Sequence, residues 1–264
     1  MIQSVAKIDP SRLERELNGL NPERDNAERL ADYIGRQIGK AIALQGSASI
    51  AFSGGSTPVQ MMRALARKDL DWQSVTITLV DERCVSPDDE RSNARLITQN
   101  LLDNLDTKPN FLPLFLEGEE EFDCAERLSA IPRPFDLVHL GMGEDAHTAS
   151  FFPDADNIGE MIDPSGSNAL ARTCSVSSRE QRITWTLPSL IDARSIVLQI
   201  NGEAKKEVFL NACSELSLAS NQEQIDAVNR RLPITALLHG REVSVASETQ
   251  NSTDLDCPFL IYCG

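Results

Sequence analysis

Residues 135–153 read Phe135-Asp-Leu-Val-His-Leu-Gly-Met-Gly-Glu-Asp-Ala-His-Thr-Ala-Ser-Phe-Phe-Pro153. The apolar run Leu137–Leu140 is short enough for a buried strand. A glycine turn follows and places Asp145 and His147 at the start of a predicted helix. A strand, a glycine turn and a titratable residue at a helix start are typical of active sites in α/β proteins.

Strand and helix patterns alternate along the rest of the chain. This alternation predicts an α/β fold with an open, mainly parallel twisted sheet and helices on both faces. We expect one domain over residues 1–264, since no linker or repeat divides the chain. The clearest patterns are strands at Ala48–Ser53, Val75–Val80 and Ser195–Ile200, and helices at Asn21–Gln45, where Asn21 and Pro22 suit the first turn, and at Val59–Lys68.

Composition narrows the classes of function. The net charge of −15 argues against a nucleic-acid partner, because phosphates would be repelled at long range. No apolar run approaches the roughly 20 residues of a membrane span, and the N-terminus lacks the apolar core of a signal peptide, so we expect a cytoplasmic protein without a membrane partner.

No metal site is expected from the spacing of His139, His147 and His239. Free thiols are expected at the scattered cysteines Cys84, Cys124, Cys174, Cys213, Cys257 and Cys263.

Polar stretches follow several of the predicted strands. Ligands of such sheets bind beyond the carboxyl ends of the strands, so we expect these stretches to meet in one crevice. They are Ser53–Thr57, Asp81–Arg83, Gly141–His147 and Asn201–Lys205.

The turn Ser53-Gly-Gly-Ser-Thr-Pro58 suits a phosphate group. Gly54 and Gly55 allow a ligand to approach the backbone, and the hydroxyls of Ser56 and Thr57 add donors. The alternative is an ordinary turn in which Thr57 caps the next helix, since the lysine and spacing of a P-loop are missing.

Charged residues elsewhere also have two interpretations. Arg83 could hold an anionic or carbonyl oxygen and Asp81 could bond sugar hydroxyls, or Asp81–Arg83 could be a solvated surface turn. Arg182 and Lys205 could bind a phosphate or lie in solvent.

The opening stretch has alternatives of its own. Gly141-Met-Gly-Glu-Asp-Ala146 fits the dinucleotide pattern, but Glu144 and Asp145 would place negative charge against the pyrophosphate. His147 could be only a packed or capping histidine. A serine hydrolase is not indicated, because no Gly-x-Ser-x-Gly elbow occurs.

Four motifs together resemble the 6-phosphogluconolactonases, hydrolases of the pentose phosphate pathway. The resemblance spans about residues 50–210 and includes the related glucosamine-6-phosphate deaminases, whose fold is Rossmann-like. The motifs are Ser53-Gly-Gly-Ser-Thr-Pro58, Asp81-Glu-Arg83 with Ser92-Asn93, Gly141-Met-Gly-Glu-Asp-Ala-His-Thr-Ala-Ser-Phe-Phe-Pro153, and Arg182-Ile-Thr-Trp-Thr-Leu-Pro188 with Asn201-Gly-Glu-Ala-Lys205.

The resemblance implies hydrolysis of 6-phospho-D-glucono-1,5-lactone without a cofactor, with His147 as the general base. Asp145 is expected to orient His147, and the start of the predicted helix to disfavour its cationic form. The expected substrate and phosphate contacts are Gly54, Gly55, Ser56, Thr57, Asp81, Arg83, Asn93, Arg182 and Lys205.

Three positions separate this chain from its relatives. Ala146 replaces a glycine that the family usually has, and it would be strained by about 1 kcal/mol or more if the backbone there needs φ > 0. The deaminases carry a glutamate where this chain has Phe152, and tend to have a tyrosine at the position of Arg83. A non-enzyme function is the other alternative, since related folds serve as sugar-phosphate-sensing domains of transcription regulators. Those proteins need a DNA-binding helix-turn-helix, and we expect none here because the segment before Asn21 is too short for one.

Overall fold

The computed structural model describes residues 8–19, 26–119, 121–238, 241–246 and 259–263. The predicted cap at Asn21 and Pro22, together with His239 and Cys257, lies outside the described residues.

Ten described strands form two sheets. In chain order they are β1 (Ala48–Phe52), β2 (Val75–Leu79), β3 (Asp81–Arg83), β4 (Asn110–Leu112), β5 (Leu137–Leu140), β6 (Leu170–Cys174), β7 (Gln181–Trp185), β8 (Ile196–Ile200), β9 (Val243–Val245) and β10 (Phe259–Cys263).

The larger sheet has seven strands in the order β4-β2-β1-β5-β8-β10-β9. Every pair of neighbours in it is parallel, which confirms the predicted mainly parallel α/β fold. Every residue of β1, β5 and β8 is buried, as expected for central strands that are covered on both faces. The strand order reverses direction between β1 and β5, which are direct neighbours.

The smaller sheet is antiparallel and has the order β3-β7-β6. Its strand β3 corrects one alternative that the sequence left open. Asp81 and Glu82 are buried, so Asp81–Arg83 is a paired strand rather than a solvated surface turn.

Ten described helices connect the strands and flank the large sheet. α3 packs against α2 and α4, and α8 packs against α1, α9 and α10. They are α1 (Pro10–Asn18), α2 (Asn26–Gln45), α3 (Val59–Leu65), α4 (Asn93–Asn100), α5 (Glu121–Leu128), α6 (Ile158–Met161), α7 (Leu187–Ile191), α8 (Glu203–Leu218), α9 (Gln222–Arg231) and α10 (Ile234–Leu238), with 3-10 turns at Trp72–Ser74 and Leu102–Asn104.

The amphipathic pattern of α2 places one face of the helix in the core, as predicted. Leu30, Ile34 and Ile38 are buried at four-residue steps, and Ile42 packs partly buried against the same core. Within the described part of the chain, no helix combines the length and apolar character needed to cross a membrane.

The predicted helix that would begin at Asp145 is wrong. Residues 144–150 form turns, because Ala146 and Ala149 have left-handed backbone angles, with φ of 62° and 51°. The next helix is the single turn α6, eleven residues after His147. His147 therefore does not lie at the start of a helix, and no helix dipole acts on it as predicted. Thr57 is likewise not the residue that caps α3, since Pro58 occupies that position without a side-chain cap bond.

Candidate active site

Two turns meet where the strand order of the large sheet reverses. Ser53 follows β1 and Gly141 follows β5, and the backbone N–H of Ser53 donates to the carbonyl of His139 at 3.0 Å. This is the position at which open parallel sheets hold ligands. A cavity of about 240 Å³ opens there, lined by Ser53, Gly54, Gly55, Ser56, Thr57, Asp81, Arg83, Asn93, Gly141, Met142, Gly143, His147, Ala149, Arg182 and Lys205.

The structure brings the sequence-predicted residues together. The predicted base and all of the predicted substrate contacts line this cavity. Asp145 is not part of the lining, but its side chain bonds to His147. Convergence therefore follows from the strand order, while the roles of these residues stay predictions.

The imidazole of His147 is held by Asp145. Its Nδ1 lies 2.5 Å from Oδ1 of Asp145, and the same oxygen accepts from the backbone N–H of His147 at 3.2 Å. Burial would raise the pKa of the Asp145 carboxyl, but the hydrogen bond and charge of His147 outweigh it and lower that pKa below 3.8. An ionised carboxylate only accepts, so Nδ1 carries a proton, and in the neutral form of the ring Nε2 is the accepting nitrogen.

The backbone around His147 is shaped to fit that ring. A Cβ atom on Gly143 would lie 2.3 Å from Nδ1 and Cε1 of His147, so no side chain fits there. The backbone N–H of Gly143 donates to the carbonyl of His147 at 2.9 Å. Ala146 is fully buried and takes the left-handed angle considered in the sequence analysis, so its strain is a property of this loop.

Phe152 contacts the imidazole of His147 from the side. Its ring stacks on the imidazole of His147 with centroids 4.3 Å apart and an interplanar angle of 26°. The guanidinium of Arg182 lies 5.1 Å from the centroid of the same ring. Phe152 is therefore an apolar support for the His147 ring and lies near a cavity arginine.

Asp81 is held in place from two sides. Its Oδ2 accepts from the hydroxyl of Ser150 at 2.6 Å and from the guanidinium of Arg182 at 3.3 Å. Arg182 is itself 9% exposed. Ser150 was missed by sequence reasoning, since nothing in the motif distinguishes its hydroxyl from those of its neighbours.

Glu82 bonds to residues at the start of α4 and was also not assigned a role from the sequence. Its carboxylate accepts from the backbone N–H groups of Asn93 and Ala94 at 2.8 and 2.7 Å, and from the hydroxyl of Ser92 at 3.1 Å. Burial raises its pKa although these hydrogen bonds oppose the shift. Glu82 thus anchors the start of α4 and positions Asn93.

The glycine turn leaves room for a ligand and for Asn93. A Cβ on Gly54 would lie 1.8 Å from Oδ1 of Asn93, and Gly55 has φ of 88°, which favours glycine. Both turn glycines are therefore required by geometry.

Positive charge is concentrated on the cavity wall. Arg83, Arg182 and Lys205 line it, and within the described chain no residue accepts from the buried Nε–H groups of Arg83 and Arg182. Among the described residues Lys205 forms no ion pair, whereas the adjacent Lys206 pairs with Glu203 at 2.6 Å. Such a wall suits an anionic ligand group.

Comparison with known proteins agrees with this geometry. The family of glucosamine-6-phosphate isomerases/6-phosphogluconolactonase matches residues 21–243. The chain belongs to this family. A 6-phosphogluconolactonase of Rhizobium meliloti (strain 1021) is 44% identical over 190 residues, which cover 70% of this chain and 82% of that protein.

Solved structures of the family share the fold. The crystal structure of a 6-phosphogluconolactonase from Shewanella baltica OS155 has a TM-score of 0.76 and 31% identity, and the match covers 90% of this chain and 93% of that one. A monomeric glucosamine-6-phosphate deaminase has a TM-score of 0.63 at 17% identity, covering 90% of this chain and 92% of that one, and supports the fold alone. The resemblance inferred from the motifs is confirmed at the level of family and fold.

Proposed function

We infer that this chain hydrolyses 6-phospho-D-glucono-1,5-lactone to 6-phospho-D-gluconate, and we propose that His147 acts as the general base. The reaction makes the chain a carboxylic ester hydrolase of the pentose phosphate pathway. Its membership of the family and its 44% identity to a 6-phosphogluconolactonase support the activity. The observation that carries the mechanism is the hydrogen bond of His147 to Asp145, which leaves Nε2 of a cavity histidine free to accept a proton.

The first step is the activation of water. Nε2 of His147 takes a proton from a water molecule, whose oxygen attacks the lactone carbonyl carbon. Asp145 stabilises the imidazolium that forms, since its carboxylate lies 2.5 Å from Nδ1. A base in this role is typically worth a factor of about 10² to 10⁴ in rate.

The second step opens the ring. The tetrahedral intermediate collapses, the bond from the carbonyl carbon to the ring oxygen breaks, and that oxygen takes the proton back from His147. The product is a carboxylic acid, which then ionises, and the enzyme returns to its starting state. Arg83 and backbone N–H groups of the cavity are the candidate donors to the oxyanion.

Binding of the phosphate group supplies the positioning. We propose that the Gly54–Thr57 turn, Arg83, Arg182 and Lys205 contact it, since all of them line the cavity. With a net charge of −15 on the chain, attraction of a dianion depends on these local cations. Asp81 and Asn93 are proposed to bond the sugar.

The deaminase activity of the family's other branch is not favoured. Phe152 stacks on His147 at the position where the deaminases carry a glutamate, and an apolar ring cannot relay a proton. We therefore assign lactone hydrolysis alone.

Three further properties are proposed on the same basis. The chain acts as one domain over residues 1–264, in the cytoplasm, and without a cofactor or metal. Its partner is the small sugar-phosphate lactone, and the acidic composition disfavours nucleic acid.

A pair of assays tests the activity. Freshly prepared 6-phosphogluconolactone is hydrolysed in the presence of a pH indicator, with correction for spontaneous hydrolysis, and ammonia release from glucosamine 6-phosphate is measured in parallel. We expect acid release from the lactone and no ammonia release. His147→Gln should lose most of the turnover while keeping its thermal melting temperature, and a variant with near wild-type kcat would remove His147 from the mechanism.

A further inference from the structure

His139 is a buried histidine that the proposed mechanism does not use. It lies in the central strand β5, is 0% exposed, and its ring is within hydrogen-bond distance of two side chains. Nδ1 lies 3.2 Å from Oγ of Ser53, and Nε2 lies 3.0 Å from Oε1 of Gln199. The amide nitrogen of Gln199 reaches the carbonyl of Thr57 at 3.4 Å. The two ends of the glycine turn are thus tied to one buried network.

The donors and acceptors of this network can be assigned from one end. The carbonyl of Thr57 only accepts, so the Gln199 amide must donate to it, and Oε1 of Gln199 must face His139. The opposite amide orientation would place two oxygens against each other. An amide oxygen also only accepts, so Nε2 of His139 carries a proton.

His139 is neutral in this setting. It is completely enclosed, and burial lowers its pKa to about 4. A neutral imidazole has one N–H group, which is already directed at Gln199, so Nδ1 accepts. The hydroxyl of Ser53 is the donor to Nδ1, and its hydrogen points away from the cavity.

This orientation decides what Ser53 can bind. Ser53 is 6% exposed and lines the cavity beside Gly141, where a Cβ would lie 3.7 Å from the Ser53 oxygen. With its hydrogen committed to His139, the oxygen offers only lone pairs. It can accept from a hydroxyl group, and it cannot donate to a phosphate or carbonyl oxygen.

We propose that Ser53 accepts a hydrogen bond from one ring hydroxyl of the sugar lactone, and that His139 and Gln199 hold Ser53 in this accepting orientation. Ser53 is then a specificity-determining residue, and His139 is a positioning residue. The adjacent hydroxyls of Ser56 and Thr57 remain donors for the phosphate, so the turn contributes both kinds of contact. The inference rests on the proposed lactonase activity.

The test compares lactones that lack one hydroxyl. Wild-type protein and Ser53→Ala are assayed with 6-phosphogluconolactone and with its 2-, 3- and 4-deoxy analogues. We expect wild-type kcat/KM to fall by about 10-fold or more for the analogue that lacks the partner hydroxyl. Ser53→Ala should lose a similar factor on the parent lactone and lose nothing further on that analogue. Ser56→Ala is the matched control, whose loss should be the same for every lactone.

A second variant tests the role of His139. His139→Leu leaves the Ser53 hydroxyl free to donate as well as to accept, so we expect the discrimination between the parent lactone and that analogue to weaken, although less than in Ser53→Ala. A purely structural His139 would lower the melting temperature and leave the discrimination unchanged. If His139→Leu does not fold, the Ser53→Ala comparison decides the inference alone.

Three results distinguish a failure of the proposed lactonase activity from a failure of the proposed role of Ser53. A wild-type protein without lactonase activity would overturn the proposed function. An active wild-type protein that treats all deoxy lactones alike would overturn only the role of Ser53. An equal loss of kcat/KM on every lactone in Ser53→Ala would mean that Ser53 binds a water molecule or only supports the turn. That result would also overturn its proposed role in sugar recognition.

Discussion

The backbone of Gly143 lies directly against the imidazole ring of His147. A Cβ atom on Gly143 would lie 2.3 Å from both Nδ1 and Cε1 of the imidazole, and 2.6 Å from Oδ1 of Asp145. Real Cβ contacts do not come this close, so the absence of a side chain at Gly143 is what allows the histidine to lie against Asp145.

Gly143→Ala is therefore expected to displace the proposed base. A shift of about 1 Å at a reacting group can cost about 100-fold in rate, and we expect a fall in kcat of that order. The matched control is Gly39→Ala, because Gly39 is exposed within α2 and a Cβ there meets nothing within 4 Å. The control should keep full activity and gain about 0.5–1 kcal/mol in stability. Equal kcat values in the two variants would show that His147 does not need its present position.

The left-handed angle of Ala146 predicts a difference between two glycine substitutions. Ala146 and Arg179 have φ of 62° and 53°, but Ala146 is fully buried and Arg179 is exposed. Glycine relieves about 1 kcal/mol of strain at either position and costs about half of that in chain entropy. At Ala146 the loss of a buried methyl, about 0.8 kcal/mol, opposes the gain.

We expect Arg179→Gly to raise the free energy of unfolding by about 0.5 kcal/mol and Ala146→Gly to leave it nearly unchanged. Urea denaturation of the two variants and the wild type gives the comparison. A clear stabilisation by Ala146→Gly alone would mean that the buried methyl contributes nothing at this position.

Local patterns sufficed for much of the fold. Short apolar runs gave the central strands within a residue or two, and the turns after β1 and β5 were located from their glycines. The helix predicted after Asp145 failed because Ala146 and Ala149 are good helix formers with left-handed angles. Alanine itself gives no sign of a left-handed angle, and the glycine that the family usually has at position 146 was the one sequence signal of this conformation.

Contacts across the site depended on strand register, which periodicity does not supply. Asp81 and Arg182 are 101 residues apart and meet because β3 pairs with β7. Ser53 and His139 are 86 residues apart and meet because β1 pairs with β5. Family motifs indicated the first pair and Ser53 as candidates, but His139 and Gln199 lie within strands and belong to none of the four motifs.

Asp145→Asn tests the proposed role of Asp145 beside the proposed base His147. The amide lacks the negative charge that stabilises the imidazolium, so we expect kcat to fall by about 10-fold or more, with a smaller change in KM. Asp163→Asn is the control, because Asp163 is an exposed acid whose pKa is also lowered, by Ser165, and it does not line the cavity. An unchanged kcat in Asp145→Asn would show that the hydrogen bond alone is enough.

The same carboxylate predicts a pH dependence of stability. The pKa of Asp145 is lower in the folded protein than its ordinary value of 3.8. Its contribution is therefore complete above about pH 3.8, and it is lost as the pH falls through the lower folded value. Denaturation curves between about pH 2.5 and 6 should show that Asp145→Asn loses less stability on acidification than the wild type. Parallel curves for the two proteins would contradict the coupling between Asp145 and His147.

Lys205→Met tests the proposed contact with the phosphate group. Methionine keeps much of the apolar stem and removes the charge, so we expect KM for 6-phosphogluconolactone to rise by about 10-fold or more, because a charged hydrogen bond is lost. Unphosphorylated gluconolactone should show almost no change. Lys206→Met is the matched control, since it changes the net charge equally, while Lys206 pairs with Glu203 and does not line the cavity. If both lactones are affected equally by Lys205→Met, or if the two lysine variants behave alike, Lys205 acts through the general field of the protein and does not bind the phosphate.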